Sequence, residues 1–258
     1  MAQPVRRRIK RYGWIPDLPD HRDRIFAAPP ATLGALPPRA DLRAGCPPVY
    51  DQGQLGSCTA QAIAGALQFD QAKQAQADVF TPSRLFIYYN ERVIEGTVDE
   101  DAGAMLRDGI KSVSKQGAPH EPLWPYVISR FRTKPSPTAY KDGARHEAIL
   151  YQRLLQLIDQ LKACLRTATR SWSGFPCMRA SRAATSRRAG VCPCPALANP
   201  CWVATAVVAV GYDEPQRRFI IRNSWGTSWG MRGYGTMPYD YLLDDGLSAD
   251  VWTIRMVE

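Results

Sequence analysis

The sequence predicts an α+β protein, helical in its first two thirds and strand-rich in its last third, and three observations carry that expectation. Between Cys58 and Leu165 the apolar residues recur at helical spacing. From Thr205 onward the pattern becomes short β-rich runs, Thr205–Tyr212 and Phe219–Arg222, separated by the turn Asp213-Glu-Pro-Gln. The chain has 258 residues with 45% hydrophobic content, enough for one sizeable domain or two packed lobes, and it shows no internal repeat.

Taken in order, residues 1–39 are rich in Pro and Arg and poor in apolar periodicity. They read as an extended leader wrapped on the domain formed by residues 40–258, with Tyr12-Gly-Trp-Ile-Pro-Asp and Asp20-His-Arg-Asp as candidate anchors. The first helix runs from Cys58 to about Lys73, with Ala62, Ile63, Ala66 and Leu67 on one face and Gly53, Gly56 and Ser57 before it. A second spans Pro82 to about Ile94, and a third Ala104 to about Gln116. A fourth is expected from His146 to about Leu165, carrying Ile149, Leu150, Leu154, Leu157, Ile158 and Leu161. Gly and aromatic residues dominate from the strands through Tyr241.

Two segments carry chemistry. The first is Tyr50-Asp-Gln-Gly-Gln-Leu-Gly-Ser-Cys-Thr-Ala. A thiol on the first turn of a helix feels the positive end of the helix dipole, which lowers its pKa and favours thiolate. Gly56 and its neighbours let a substrate backbone approach closely. The Gln52 side chain and the Cys58 backbone N–H are two donors able to form an oxyanion hole. The same features also fit a buried cysteine at the start of a core helix. The second segment is Arg222-Asn-Ser-Trp-Gly-Thr-Ser-Trp-Gly-Met-Arg-Gly-Tyr. In it the Asn223 side-chain oxygen is placed to orient an imidazole, and Trp225 to shield that bond from water. Read alone, it is also a tight aromatic and glycine corner.

Together the two segments resemble the papain-like cysteine peptidases of the C1 family, and most closely bacterial members without a long inhibitory propeptide. The resemblance runs from about Asp41 to Met237. It implies a two-lobed fold, with a helical N-terminal lobe, a β-barrel-like C-terminal lobe and an active-site cleft between them. It implies hydrolysis of peptide bonds, with Cys58 as nucleophile, Gln52 as oxyanion donor and Asn223 as histidine orienter. Asp101-Ala-Gly-Ala-Met looks like the family's Asn-Gly-Gly strip, which pairs with substrate backbone. Gly103 is therefore a candidate substrate-binding residue with Gly56, Ser57 and Trp225. The family's disulfide beside the strip has no counterpart, because Glu100 stands where its Cys would be.

The mechanism needs a general base beside the thiol. The family places a histidine directly before Ala-Val-x-Ala-Val-Gly-Tyr, about 130–150 residues after the nucleophile. Here Ala206-Val-Val-Ala-Val-Gly-Tyr is preceded by Thr205, which cannot exchange a proton near neutral pH. The three histidines, His21, His120 and His146, lie in no matching segment.

A shift of reading frame accounts for the departure. Reading each codon from the last base of one residue into the first two of the next turns Cys201–Thr205 into Leu-Gly-Gly-His, running straight into Ala206. The same shift permits Ala168–Arg179 to read Tyr-Pro-Phe-Val-Val-Gly-Phe-Pro-Val-Tyr-Glu, an apolar strand. We therefore read about 166–205 as translated out of frame between compensating one-base changes, and expect it to order poorly. As it stands the chain is expected to be a cysteine peptidase without its base, inactive, or else a non-catalytic peptide-binding protein on the same fold.

The remaining signals point to no other class. The formal charge of +9 is concentrated where Gln160–Tyr212 holds no Asp or Glu but seven Lys and Arg residues, with no aromatic series for stacking nucleotides, so a nucleic-acid partner is not expected. Cys177, Cys192, Cys194 and Cys201 have no metal-ligand spacing and no nearby His, so neither metal nor cofactor is expected. No apolar run reaches the roughly 18 residues of a membrane span, and no apolar segment follows the basic N-terminus. The expectation is a cytoplasmic monomer acting on peptides or proteins.

Overall fold

The computed structural model describes residues 13–147, 150–167, 177–181 and 202–255. In chain order the elements are β1 (Trp14–Ile15), α1 (Pro30–Leu33), β2 (Arg39–Asp41), α2 (Cys58–Lys73), α3 (Arg84–Glu95), β3 (Ala104–Met105), α4 (Leu106–Gln116), α5 (Pro137–Gly143), β4 (Leu150–Arg153), α6 (Ile158–Thr167), β5 (Cys177–Ser181), β6 (Trp202–Ala206), β7 (Val208–Asp213), β8 (Arg218–Arg222), β9 (Tyr234–Pro238), α7 (Tyr239–Leu243) and β10 (Trp252–Arg255).

The helical lobe is built on α2, whose Ala and Gly residues let it be buried along nearly its whole length, from Cys58 to Gln71. Helix α3 starts where Ser83 caps it, the hydroxyl accepting the Phe86 N–H, and stops at Gly96 in the left-handed conformation. Helices α3 and α4 pack on α2 through Ile63, Leu67, Phe86, Ile110 and Val113.

The second lobe is an antiparallel sheet of order β2-β7-β8-β9. The run 206–210 shows why the sequence there is apolar without interruption. Ala206, Val208 and Val210 face the helical core, whereas Val207 and Ala209 face a second core with Phe219, Ile221, Met237 and Leu161. Alternation along this run thus gives it two buried faces and two cores.

Three expectations need correction. The helix read from His146 to Leu165 is two elements: β4 pairs antiparallel with β10, and α6 begins only at Ile158. Of the residues read onto its face, Leu154 and Leu161 are buried but Leu157 is largely exposed, so the spacing does not mark one buried face. Ala104–Met105 is strand rather than helix, because the leader pairs with it. The run Thr205–Tyr212 is interrupted at Val207 between β6 and β7. Within the interval read as out of frame, the described residues include the end of α6 and the antiparallel pair β5–β6; the rest lies outside the described residues. Among the described residues no helix is long and apolar enough to cross a membrane.

Candidate active site

Cys58 is the first residue of α2 and is fully buried. Helix α2 packs against β6 and β7, so the thiol faces the sheet lobe from the helical one. The groups that reach it are the backbone of Ala206, the Thr205 side chain and the backbone of Gly13, with the Glu91 carboxyl nearby. Thr205 therefore occupies the place opposite the thiol. Its hydroxyl is buried and makes no well-formed hydrogen bond.

The thiol does not behave as its helix position alone predicts. Burial pushes Cys58 up to about 11, outweighing the Ala206, Thr205 and Gly13 groups that pull it down. With the leader seated over it, desolvation beats the helix dipole. Cys46, also shielded, is pushed up to about 11 by burial.

The leader contributes to that burial, together with Thr205 and Ala206. Strand β1 runs parallel to β3, with Trp14 opposite Ala104 and Ile15 opposite Met105, and the Ala104 N–H donates to the Gly13 carbonyl at 2.8 Å. Strand β1 also packs on β6, so it fills the groove between the lobes. Three glycines permit the approach. A β-carbon on Gly13 would lie 1.4 Å from the Gly56 carbonyl oxygen, and one on Gly103, whose φ is +78°, would lie 2.5 Å from the Gly13 carbonyl carbon. Further along, Asp17 accepts the Arg107 backbone N–H and the Trp252 indole N–H. Asp23 takes the Arg107 and Arg153 guanidinium groups.

The other candidate residues divide. Gln52 is fully buried; its Nε2 donates to the Leu55 carbonyl at 2.9 Å and its Oε1 accepts the Ser224 hydroxyl at 2.6 Å. A primary amide has two N–H donors, so the second remains for a ligand. Asn223 is buried at the end of β8, and its Oδ1 accepts the Ser224 N–H at 2.8 Å. Trp225 stands edge-on to Trp229 with ring centroids 5.5 Å apart. The Gly56 N–H donates to Asp101 at 3.0 Å. The Ser57 side chain turns inward to Tyr126, 2.6 Å away, and Tyr126 donates onward to the Gln52 carbonyl. It thus braces the loop rather than facing the groove. Gly103 lines the strip, its N–H donating to the Tyr88 hydroxyl.

Sequence reasoning missed Ser224, Tyr126 and Asp101 as supports for this loop. Ser224 had a legible signal, since it follows Asn223 directly. Tyr126 had none, because only the fold brings it to Ser57. His120 and His146 pack against each other and Phe80, and neither is among the groups that reach Cys58.

The chain matches a family model described as papain family cysteine protease over residues 36–242. It is 34% identical to an uncharacterized peptidase C1-like protein of Acanthamoeba polyphaga mimivirus, across 96% of this chain and 88% of that one. The crystal structure of xylellain, a cysteine protease from Xylella fastidiosa, superposes with a TM-score of 0.87 at 40% identity, covering all of both chains. Digestive procathepsin L2 of Tenebrio molitor shares the fold at a TM-score of 0.71 and 21% identity, over 95% of this chain and 78% of that one.

Proposed function

The chain belongs to the papain family of cysteine proteases, and from that premise we propose that it is a thiol peptidase in which Cys58 is the nucleophile and Thr205 stands in the place of the general base. The observation that carries this reading is the approach of Thr205, from β6, to a thiol on the first turn of α2. An imidazole at position 205 would form the ion pair with the Cys58 thiolate. The Cys58 Sγ attacks the peptide carbonyl carbon, the oxyanion is held by the Cys58 N–H and the free Gln52 N–H, and the imidazolium protonates the leaving amine. Water then hydrolyses the thioester, with the imidazole taking its proton. Asn223 orients the ring once its Oδ1 turns from the Ser224 N–H. Gly103 and Gly56 form the strip that holds the substrate backbone.

With Thr205 in place the proton steps have no carrier, and general acid–base assistance of about 10²–10⁴ is missing. The out-of-frame reading of 166–205 supplies the histidine. The second reading, a protein that binds peptides without cleaving them, is favoured by Thr205 itself. A peptide-library assay on the chain as it stands, on Thr205→His and on the frame-restored protein separates the two. We expect no hydrolysis from the first, little from the second, and from the third hydrolysis that iodoacetamide blocks and Cys58→Ala abolishes. A frame-restored, folded protein inert on every peptide would replace the peptidase reading with the binding one.

A further inference from the structure

The helical lobe carries a second constellation of titratable groups away from the thiol. His120, Asp142 and His146 each offer one ligand atom, and these atoms all lie within 4.8 Å of one another. His120 is held between two carboxylates: its Nδ1 is 2.9 Å from Asp142 Oδ2, and its Nε2 is 2.9 Å from Asp78 Oδ2.

The backbone fixes this arrangement before any ligand is considered. The His120 N–H donates to the same Asp142 oxygen at 3.0 Å, and the Ala118 N–H donates to the His146 carbonyl at 3.2 Å. Gly117 lies so close to the end of α5 that a β-carbon there would sit 1.7 Å from the Gly143 carbonyl oxygen. Phe80 stacks on His120 at 3.8 Å between centroids and leans on His146 at 4.6 Å, walling one side with an apolar ring.

We propose that His120, Asp142 and His146 form a binding site for a divalent transition metal such as zinc, with Asp78 as the carboxylate that orients His120. When Asp78 accepts the Nε2–H, the Nδ1 lone pair points at Asp142. Two acceptors 2.9 Å apart must share a cation, either a proton on Nδ1 or a metal ion. At bond lengths of about 2.0–2.1 Å that edge subtends about 90° at a metal, which tetrahedral binding opens by a small side-chain movement. A carboxylate on the far nitrogen of a ligating imidazole is the usual outer-shell arrangement. Two carboxylates and two neutral imidazoles balance a dication, and solvent completes the coordination. The metal would tie the loop before α3, the loop after α4 and the end of α5 together.

The chain's three histidines make the test direct. Long-range ¹H–¹⁵N spectra of the chelator-treated protein are followed as zinc chloride is added. We expect His120 Nδ1 and one His146 nitrogen to move together and saturate near one equivalent, with His21 unmoved. Asp142→Asn and Asp78→Asn should each weaken binding by about tenfold or more. If His120 keeps the pattern of a doubly protonated ring and His146 does not move at excess zinc, the cluster is an imidazolium clamp and the proposal falls. It falls equally if both rings respond in the same way in a folded Asp142→Asn protein. Should that variant not fold, the wild-type titration alone decides.

Discussion

Gly13 and Gly56 meet without room for a single side-chain carbon: a β-carbon on Gly13 would lie 1.4 Å from the Gly56 carbonyl oxygen, two residues before Cys58. Leader and nucleophile loop are therefore in backbone contact, and access to the thiol depends on that contact.

Gly13→Ala should lever the leader from the groove. A clash against backbone costs about 1–3 kcal/mol, so iodoacetamide labelling of Cys58 should rise about tenfold or more at pH 7.5. Labelling at Cys46, away from the groove, should not change. Mass spectrometry of tryptic peptides reads both sites, and an unchanged Cys58 rate would show that the leader does not shield it.

The pH dependence of that labelling follows from burial. With Cys58 pushed up to about 11, the reactive thiolate is scarce at pH 7 and its fraction climbs about tenfold per pH unit toward the midpoint. In Gly13→Ala the midpoint should fall, because water replaces protein around the sulfur and the dipole of α2 is no longer outweighed. Alkylation rates from pH 6 to 11 in both proteins measure this; superimposable profiles would contradict it.

Glu91 provides a stability test behind the same loop. It is fully buried, accepts the Thr59 hydroxyl at 2.7 Å through Oε1, and burial raises its pKa well above the ordinary 4.5. A carboxyl raised in the folded state contributes stability that is fully present below its unfolded pKa and is lost as pH rises toward the folded value. Glu91→Gln keeps the Thr59 acceptor and removes the titration. Its urea midpoint relative to wild type should improve steadily from pH 4.5 to 8. A constant difference across that range would mean that Glu91 does not change its protonation on folding.

Asp23→Ala should unfasten the leader at a second point. Asp23 is half-buried, its carboxylate held between the Arg107 and Arg153 guanidinium groups, and losing such charged hydrogen bonds costs about 1.5–3 kcal/mol. Thermal denaturation should shift down, and trypsin should cut at Arg22 and Arg24 before the rest of the domain. Cleavage there at the wild-type rate would show that the Asp17 contacts suffice.

What could be read in the sequence and what could not separates by the range of the interaction. Helix α2 was legible, because glycines and Ser57 mark its start and its end was expected at about Lys73. The strand Leu150–Arg153 was not, since its partner Trp252–Arg255 lies about a hundred residues away and Leu150 falls into helical spacing with Leu154, Leu157 and Leu161. The thiol's neighbours were legible as motifs. The helix dipole at the thiol is local and legible, whereas the burial that pushes its pKa up is set by the fold. The Ser57–Tyr126 contact was illegible for the same reason: nothing in the segment announces Tyr126.

The pairing of β4 with β10 reaches further than its four residues suggest. The leader adds to the other side of β4, where the Arg153 N–H donates to the Arg24 carbonyl and the Phe26 N–H to the Arg153 carbonyl. Beside it, the Trp252 indole and the Asp250 carboxylate hold Asp17. Residues 14–26 and 250–255 are thus adjoining strips of one seam, the two extremes of the described chain stitched through its middle. A change at Asp250 or Trp252, far from Cys58 in sequence, therefore acts on the same segment that lies over the thiol.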